Sequence, residues 1–239
     1  MSIFAKLDVY HDNMPRSAAI NMAIDEALLE HASVPSIRFY RWDQPALSFG
    51  YFGKFVDVAD YRAARDVIRR WTGGGMVFHG DDLTYAIIIP VGAEFFPASS
   101  KLIYAAIHSA LRDALRANDE HAELVSVPDI TNAGAAVGDS ENSSQAGRGY
   151  NGACFANPVH ADVVMNGRKV AGAAQRRTRS GLLQQGSIQH VDFENGLAER
   201  FAKELSEVCS EKSLSRRVLE RAQDIAQQKY GSNAWLRRR

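Results

Sequence analysis

Cysteine is scarce: Cys154 and Cys209 are the only two in 239 residues, 55 positions apart and without CxxC spacing. That pattern excludes a disulfide framework and offers no zinc site, and it fits a reducing, cytoplasmic location. An excess of charge of one sign is missing too. With 28 Lys plus Arg against 28 Asp plus Glu, no overall field draws the chain onto nucleic acid or an acidic membrane, so any basic site must be local. Long apolar runs are also lacking. The longest, Ala86 to Ala93, contains Pro90 and Gly92 and falls short of the roughly 20 residues that span a bilayer. Met1 to Tyr10 lacks the apolar core of about 7 to 15 residues found in a signal peptide. The expectation is a soluble protein with neither a nucleic-acid nor a membrane partner. What remains is ordinary for a globular chain, with 46% apolar and 23% charged residues, which excludes wholesale disorder and collagen. At about 150 residues per domain, the length allows one large domain or two small ones.

Periodicity divides the chain into strands and helices. Ile3 to Tyr10 predicts a first strand. Ala18 to Glu30 sets Ile20, Met22, Ile24, Ala27 and Leu28 among the acids Asp25, Glu26 and Glu30, predicting a helix with one buried stripe. Ser36 to Trp42 alternates as a half-buried strand does, and after Pro45 the run Ala46 to Phe49 predicts its hairpin partner. A short helix is expected over Asp60 to Arg65 and a strand over Val67 to Trp71. The glycines Gly73, Gly74 and Gly75 then interrupt before Met76 to His79. Leu83 to Ile89 is a continuous β-branched and aromatic run, predicting a central strand buried on both faces. Ser100 to Leu115 is the clearest helix, with Ser99 or Ser100 as N-cap. Thr131 to Asn151 is rich in Gly, Ala, Ser and Asn without periodicity, predicting a mobile loop that is functional or disordered. Ala161 to Met165, Lys169 to Gln175 and Gly186 to Val191 predict strands, with Asn166-Gly167 as a hairpin turn of positive φ. Gly196 to Val208 and Leu214 to Lys229 predict helices. Hairpin-linked strands with helices between and after them imply an α+β fold, a mixed and largely antiparallel sheet packed by helices, rather than a doubly wound parallel sheet.

Three segments carry candidate chemistry. Arg69 and Arg70 lead into Trp71-Thr72-Gly73-Gly74-Gly75, where residues without side chains let backbone N–H groups approach a carboxylate, phosphate or thioester oxygen. The spacing is neither a Walker loop nor GxGxxG. Alone, a triple glycine is more often a bulge or turn, and His79 alone is more often a satisfied polar residue. Lys169 ends a tight hairpin and is followed by Val170-Ala171-Gly172-Ala173-Ala174-Gln175, a small-residue strand with room for something to lie across it. Alone, Lys169 reads as a solvated charge, as do Arg176, Arg177, Arg179 and the tail Arg237 to Arg239. Cys154 stands between the glycine-rich loop and the next strand. Cys209, read within a helical stretch, fits a buried and inert thiol better.

Together these segments resemble the lipoate-protein ligase and octanoyltransferase family, related to the biotin-protein ligases. The resemblance is carried by Asn21 to Leu29, Arg38 to Trp42 with Pro45 and Ser48, Arg69-Arg70 with Gly73 to Gly75, and Val77-Phe78-His79. It continues through Asp82 to Tyr85, Gly167 to Gly172 with Gln175, and Gln185 to Ile188, in the family's order. It implies the ligase-type catalytic domain over 1–195, with a flexible loop at about 131–152 and a C-terminal helical extension of the same domain over 196–239. It also implies a tunnel for a lipoyl or octanoyl chain, lined by Arg70, Gly73, Gly74, Gly75, His79, Gly172 and Gln175, with Lys169 beside the acyl carbonyl. Cys154 is similar in position to the nucleophile of the cysteine-dependent octanoyltransferases.

The implied reaction moves an octanoyl group from acyl carrier protein, through a Cys154 thioester, to a lysine of a lipoyl domain of a 2-oxoacid dehydrogenase or the glycine cleavage H protein. No cofactor and no metal is required by that route. The alternative is a ligase that uses ATP and Mg, with Lys169 at the mixed anhydride and Cys154 incidental. The third glycine is closer to the ligase pattern. The roughly 45 residues after the last motif, too few for the accessory domain of many ligases, favour the transferase. A noncatalytic acyl or protein binder is the third reading. The loop is expected to order over the acyl chain and carry Cys154 to the carbonyl.

Overall fold

The computed structural model describes residues 2–117, 121–126 and 159–238. The expected mobile loop and Cys154 lie outside them. No helix among the described residues is long and apolar enough to cross a membrane.

The elements run β1 Leu7–Arg16, α1 Ala18–His31, β2 Ser36–Trp42, β3 Ala46–Phe49, β4 Asp66–Arg69, β5 Val77–His79, β6 Leu83–Pro90 and α2 Ser100–Arg116. They continue with β7 Ala122–Leu124, β8 Val163–Met165, β9 Arg168–Arg177, β10 Gly181–Ile188, α3 Leu197–Leu205, β11 Cys209–Glu211, α4 Arg216–Ile225 and α5 Asn233–Leu236. Among the described residues they form an eight-stranded sheet, ordered β11-β1-β2-β6-β10-β9-β8-β7, and a three-stranded sheet, β4-β3-β5. The large sheet is mixed: β1 pairs parallel with β2 and β11, and the remaining pairs are antiparallel. The expected α+β architecture is therefore present.

β6 is buried along its whole length between β2 and β10, as its unbroken apolar sequence dictates. α2 begins where the Ser99 hydroxyl accepts the Leu102 N–H, and its Ile103, Ile107, Leu111 and Leu115 enter the same core as Phe201 and Leu205 of α3. The Asn166-Gly167 turn has φ of 49° and 74°, the left-handed geometry that this dipeptide tolerates. On the opposite face α1 packs between β6, β10 and α4, sharing a core with Val218, Ala222 and Ile225.

The structure corrects five expectations. β2 and β3 are not a hairpin: Pro45 turns the chain out of the large sheet, and β3 pairs with β4 and β5. β1 begins at Leu7 and runs on to Arg16, six residues past the expected end. α1 buries Asn21 and Asp25 along with its apolar residues, because it is covered on more than one side. Cys209 is an exposed residue of edge strand β11, where burial of its sulfur and nearby Glu211 raise the thiol pKa. The arginines are not simply solvated: Arg177 donates to the carbonyls of Phe96 and Ala98, and Arg176 lies over the rings of Tyr51 and Trp71.

Candidate acyl-transfer site

The triple glycine links β4 to β5, which flank β3. Its path depends on glycine at two places. Gly74 has φ of +84°, and a Cβ on Gly50, at the end of β3, would fall 2.1 Å from the Gly74 carbonyl oxygen, a separation no side chain permits. Arg70 is buried beneath the loop. Its Nη2 donates to the carbonyls of Gly73 and Gly75, both at 2.9 Å, and its Nη1 to Ser48 Oγ at 2.7 Å.

Ser48 passes the chain of bonds onward. Its Oγ lies 2.7 Å from His79 Nε2, and His79 Nδ1 lies 2.7 Å from Asp82 Oδ2. The carboxylate can only accept, so Nδ1 donates to Asp82, and Ser48 Oγ, which accepts from Arg70, joins the ring to the guanidinium. Burial alone would raise the Asp82 pKa, yet its interaction with His79 and the hydrogen bonds from Ser187 and the Gly80 N–H hold it below the ordinary carboxylate range. His79 also stacks on Trp42 at 4.1 Å.

Ser48, Arg70, Gly74 and His79 line an inner slot with about 390 Å³ of space between its lining atoms, open mouth included. Met22, Tyr40, Trp42 and Val77 give it an apolar surface, and Gly172, Ala173 and Ala174 of β9 form a wall without bulk. A wider groove follows, lined by Gly73, Lys101, Tyr104, His160 and Gln175, and shares Gly74, Ala173 and Ala174 with the slot.

Lys169 lies against Gly172 of the slot wall. The pairing of β8 with β9 slips by one residue, with Val164 opposite Lys169 but Val163 opposite Ala171, and such a bulge re-aims side chains. Lys169 is turned inward, its side chain buried, and its Nζ meets Asp162 Oδ2 at 2.7 Å. Gly172 makes the crossing possible, since a Cβ there would lie 2.5 Å from Lys169 Cε and 2.7 Å from Nζ.

The structure thus brings Arg70, Gly74, His79 and Gly172 to the slot and Gly73 and Gln175 to the groove, while Lys169 packs against Gly172 and lines neither. Gly75 meets the site through its carbonyl on Arg70. Among the described residues, no group of His, Cys, Asp and Glu is arranged to hold a metal. Sequence reasoning assigned no role to Ser48, Asp82, Tyr104 or Asp162. For Asp162 a signal existed: an acid entering the apolar run Ala161 to Met165 has to be paired once that strand is buried.

Comparison with known proteins agrees with this geometry. Residues 17–220 match the model of the lipoyl protein ligase A/B catalytic domain. An octanoyltransferase LipM of Oceanobacillus iheyensis is 36% identical over 185 residues, covering 74% of this chain and 62% of that protein. One from Anoxybacillus flavithermus is 38% identical over 188 residues, covering 74% and 63%. The chain therefore spans a little over three fifths of the length of these curated relatives. Among solved structures, a Thermoplasma acidophilum protein with bound lipoic acid superposes with a TM-score of 0.71 at 17% identity, covering 96% of this chain and 98% of that one. A bi-partite lipoate protein ligase from the same organism, studied with its E2 lipoyl domain, gives 0.66 at 17% identity, covering 98% and 96%. At such identities these structures establish the fold.

Proposed function

Because the chain belongs to the lipoyl protein ligase A/B catalytic-domain family, we propose that it moves an octanoyl group from the thioester of an acyl carrier protein to the ε-amine of a lysine on a lipoyl domain. The observation that carries this reading is the identity of more than a third to octanoyltransferases. The apolar slot supports it, since each methylene buried there contributes about 0.8 kcal/mol.

In this reading the acyl chain enters the slot beside Gly172, and its carbonyl stays near Gly172, against which Lys169 packs. Cys154, which lies outside the described residues, attacks as a thiolate. A new C–S bond forms to Cys154 as the carrier's C–S bond breaks, and the carrier leaves as a thiolate with that electron pair, to be protonated by solvent. A cation nearby favours the thiolate, and donors aimed at the tetrahedral oxygen lower the barrier further. The acceptor amine then attacks the Cys154 thioester, a C–N bond forms, the thiolate is released, and the amine gives up its extra proton. Thioester to amide runs downhill, so this route draws on no ATP. The acceptor is a lipoyl domain of a 2-oxoacid dehydrogenase or the glycine cleavage H protein.

The test is to compare octanoyl acyl carrier protein without ATP against free lipoate with ATP and Mg, each with a lipoyl domain. Modification in the first arm, with an octanoyl adduct on Cys154 by mass spectrometry and none in Cys154→Ala, is the expected result. Lipoylation confined to the ATP arm and unaffected by Cys154→Ala replaces this reading with an ATP-dependent ligase. No turnover in either arm leaves a noncatalytic binder.

A further inference from the structure

We propose that Asp162 is the positioning residue of this site: a buried carboxylate that holds the Lys169 amine over Gly172 of the slot wall and is itself fixed by Tyr104. The proposal rests on the reading of Lys169 as the group beside the acyl carbonyl, and it adds two residues to which no role was assigned.

Four observations converge on Asp162. Its Oδ2 accepts from Lys169 Nζ and from the Val159 N–H, both at 2.7 Å. Its Oδ1 accepts from the Tyr104 hydroxyl at 2.5 Å, and that hydroxyl accepts in turn from the Ala173 N–H at 3.1 Å. One carboxylate therefore ties together helix α2, the turn before β8 and the small-residue wall of β9. Second, both side chains of the Lys169–Asp162 pair are essentially without solvent exposure. A buried pair of this kind adds little net stability compared with apolar residues of the same size, so stability alone does not account for it behind the slot wall at Gly172. Third, the preceding Ala161 has φ of 64°, a region that alanine avoids. Its N–H donates to the Val125 carbonyl and its own carbonyl accepts from His108 Nδ1, so the turn presenting Asp162 is held against its local preference, as segments at functional sites often are. Fourth, the bulge at Lys169 and the missing side chain at Gly172 both serve to let the lysine cross to this carboxylate.

The consequence is geometric. A lysine has four rotatable bonds, and its amine is useful only within hydrogen-bond reach of the reacting carbonyl. Asp162 selects the rotamer that folds Nζ back over Gly172, and Tyr104 prevents the carboxylate from turning away. Tyr104 reaches this position because it lies on the groove side of α2, next to Ile103 and about one turn before Ile107, both in the core.

The experiment uses the full chain with Asp162→Asn, Asp162→Glu and Tyr104→Phe. The first readout is independent of activity: labelling of Lys169 by an acetylating N-hydroxysuccinimide ester, followed by mass spectrometry from neutral to alkaline pH, relative to exposed Lys203 in the same molecule. Asp162→Asn is expected to change the relative labelling of Lys169 several-fold and alter its pH profile while the protein stays folded, with Tyr104→Phe moving it in the same direction by less. The second readout is octanoyl transfer, in which Asp162→Asn lowers kcat by about a hundredfold with KM for the acyl donor little changed, and Asp162→Glu restores part of the loss. Unchanged Lys169 labelling in folded Asp162→Asn and Tyr104→Phe overturns the proposal, and so does a loss of kcat that only tracks the loss of folded protein. If Asp162→Asn does not fold, labelling in Tyr104→Phe decides. A wild-type protein that transfers no acyl group overturns the functional reading alone, and the labelling still decides the role of Asp162.

Discussion

A methyl group at residue 172 would lie 2.5 Å from Lys169 Cε and 2.7 Å from Nζ. The obstacle is the end of a long side chain rather than backbone, so the lysine can yield while the strand stays in place. Gly172→Ala is therefore expected to separate function from stability. It should lower kcat by about tenfold to a hundredfold while changing the unfolding free energy by less than about 1 kcal/mol. Steady-state kinetics beside a urea titration checks this, and full activity in Gly172→Ala would remove Lys169 placement as the reason for glycine there. Gly50 is the contrasting case. Its Cβ would meet backbone of the glycine loop, which cannot step aside cheaply.

The small sheet β4-β3-β5 bears the glycine loop, and its own support comes from the C-terminal segment. Arg69 ends β4, and its guanidinium donates to the carbonyls of Tyr51, Gly53, Trp235, Leu236 and Arg238 at 2.7 to 3.2 Å. Trp235 Nε1 answers with a bond to the Arg69 carbonyl. One side chain therefore binds the β3 loop and α5 to the strand that leads directly into Arg70. Arg69→Met strands these carbonyls, and a loss of about 3 kcal/mol or more follows from removing charged hydrogen bonds of this kind. Arg69→Lys should recover little, because three donors on a point charge cannot fill a planar fork of five. A urea midpoint for Arg69→Met equal to that of the wild type would contradict this account.

Acid sensitivity belongs to the molecule as a whole, because His108 joins α2, β6 and the turn before β8 at once. Its Nδ1 donates to the Ala161 carbonyl at 2.7 Å and its Nε2 accepts from Tyr85 at 3.0 Å. Tyr104 packs on the ring at 4.2 Å. Burial lowers its pKa to about 4, with Lys169 adding to the effect and the Ala161 bond and Asp162 opposing it. An unfolded chain has the histidine near about 6.5, so between those values the unfolded state takes up a proton that the folded state does not. Stability from this group is complete above about pH 6.5 and falls as pH drops towards 4, by up to about 3 kcal/mol. In His108→Gln the curve of melting temperature against pH should be flatter over that window, although lower at neutral pH. Parallel curves for the two proteins would show that His108 is not the sensor.

Local sequence settled those parts whose cause is local. The apolar spacing of residues 18–30 and 100–115 made α1 and α2, the unbroken apolar run of 83–89 made the central strand β6, and Asn166-Gly167 made the turn before Lys169. The order of the glycine, histidine and lysine segments was enough to indicate the family, and these segments do meet at the slot. Tertiary structure alone decided which strands pair. The dihedrals of β2 and β3 suit either a hairpin or separate sheets, and the choice is made by distant partners: β6 pairs with β2, and β4 and β5 flank β3. It also decided that Asp25 is buried, that Cys209 is exposed, and that Ser48, His79 and Asp82 fall in line. Periodicity senses only the neighbours within a turn or two along the chain. Lys169 becomes more than a surface charge only when a bulge, a glycine three residues on and a carboxylate from the preceding turn meet in space, and no spacing along the chain encodes that meeting.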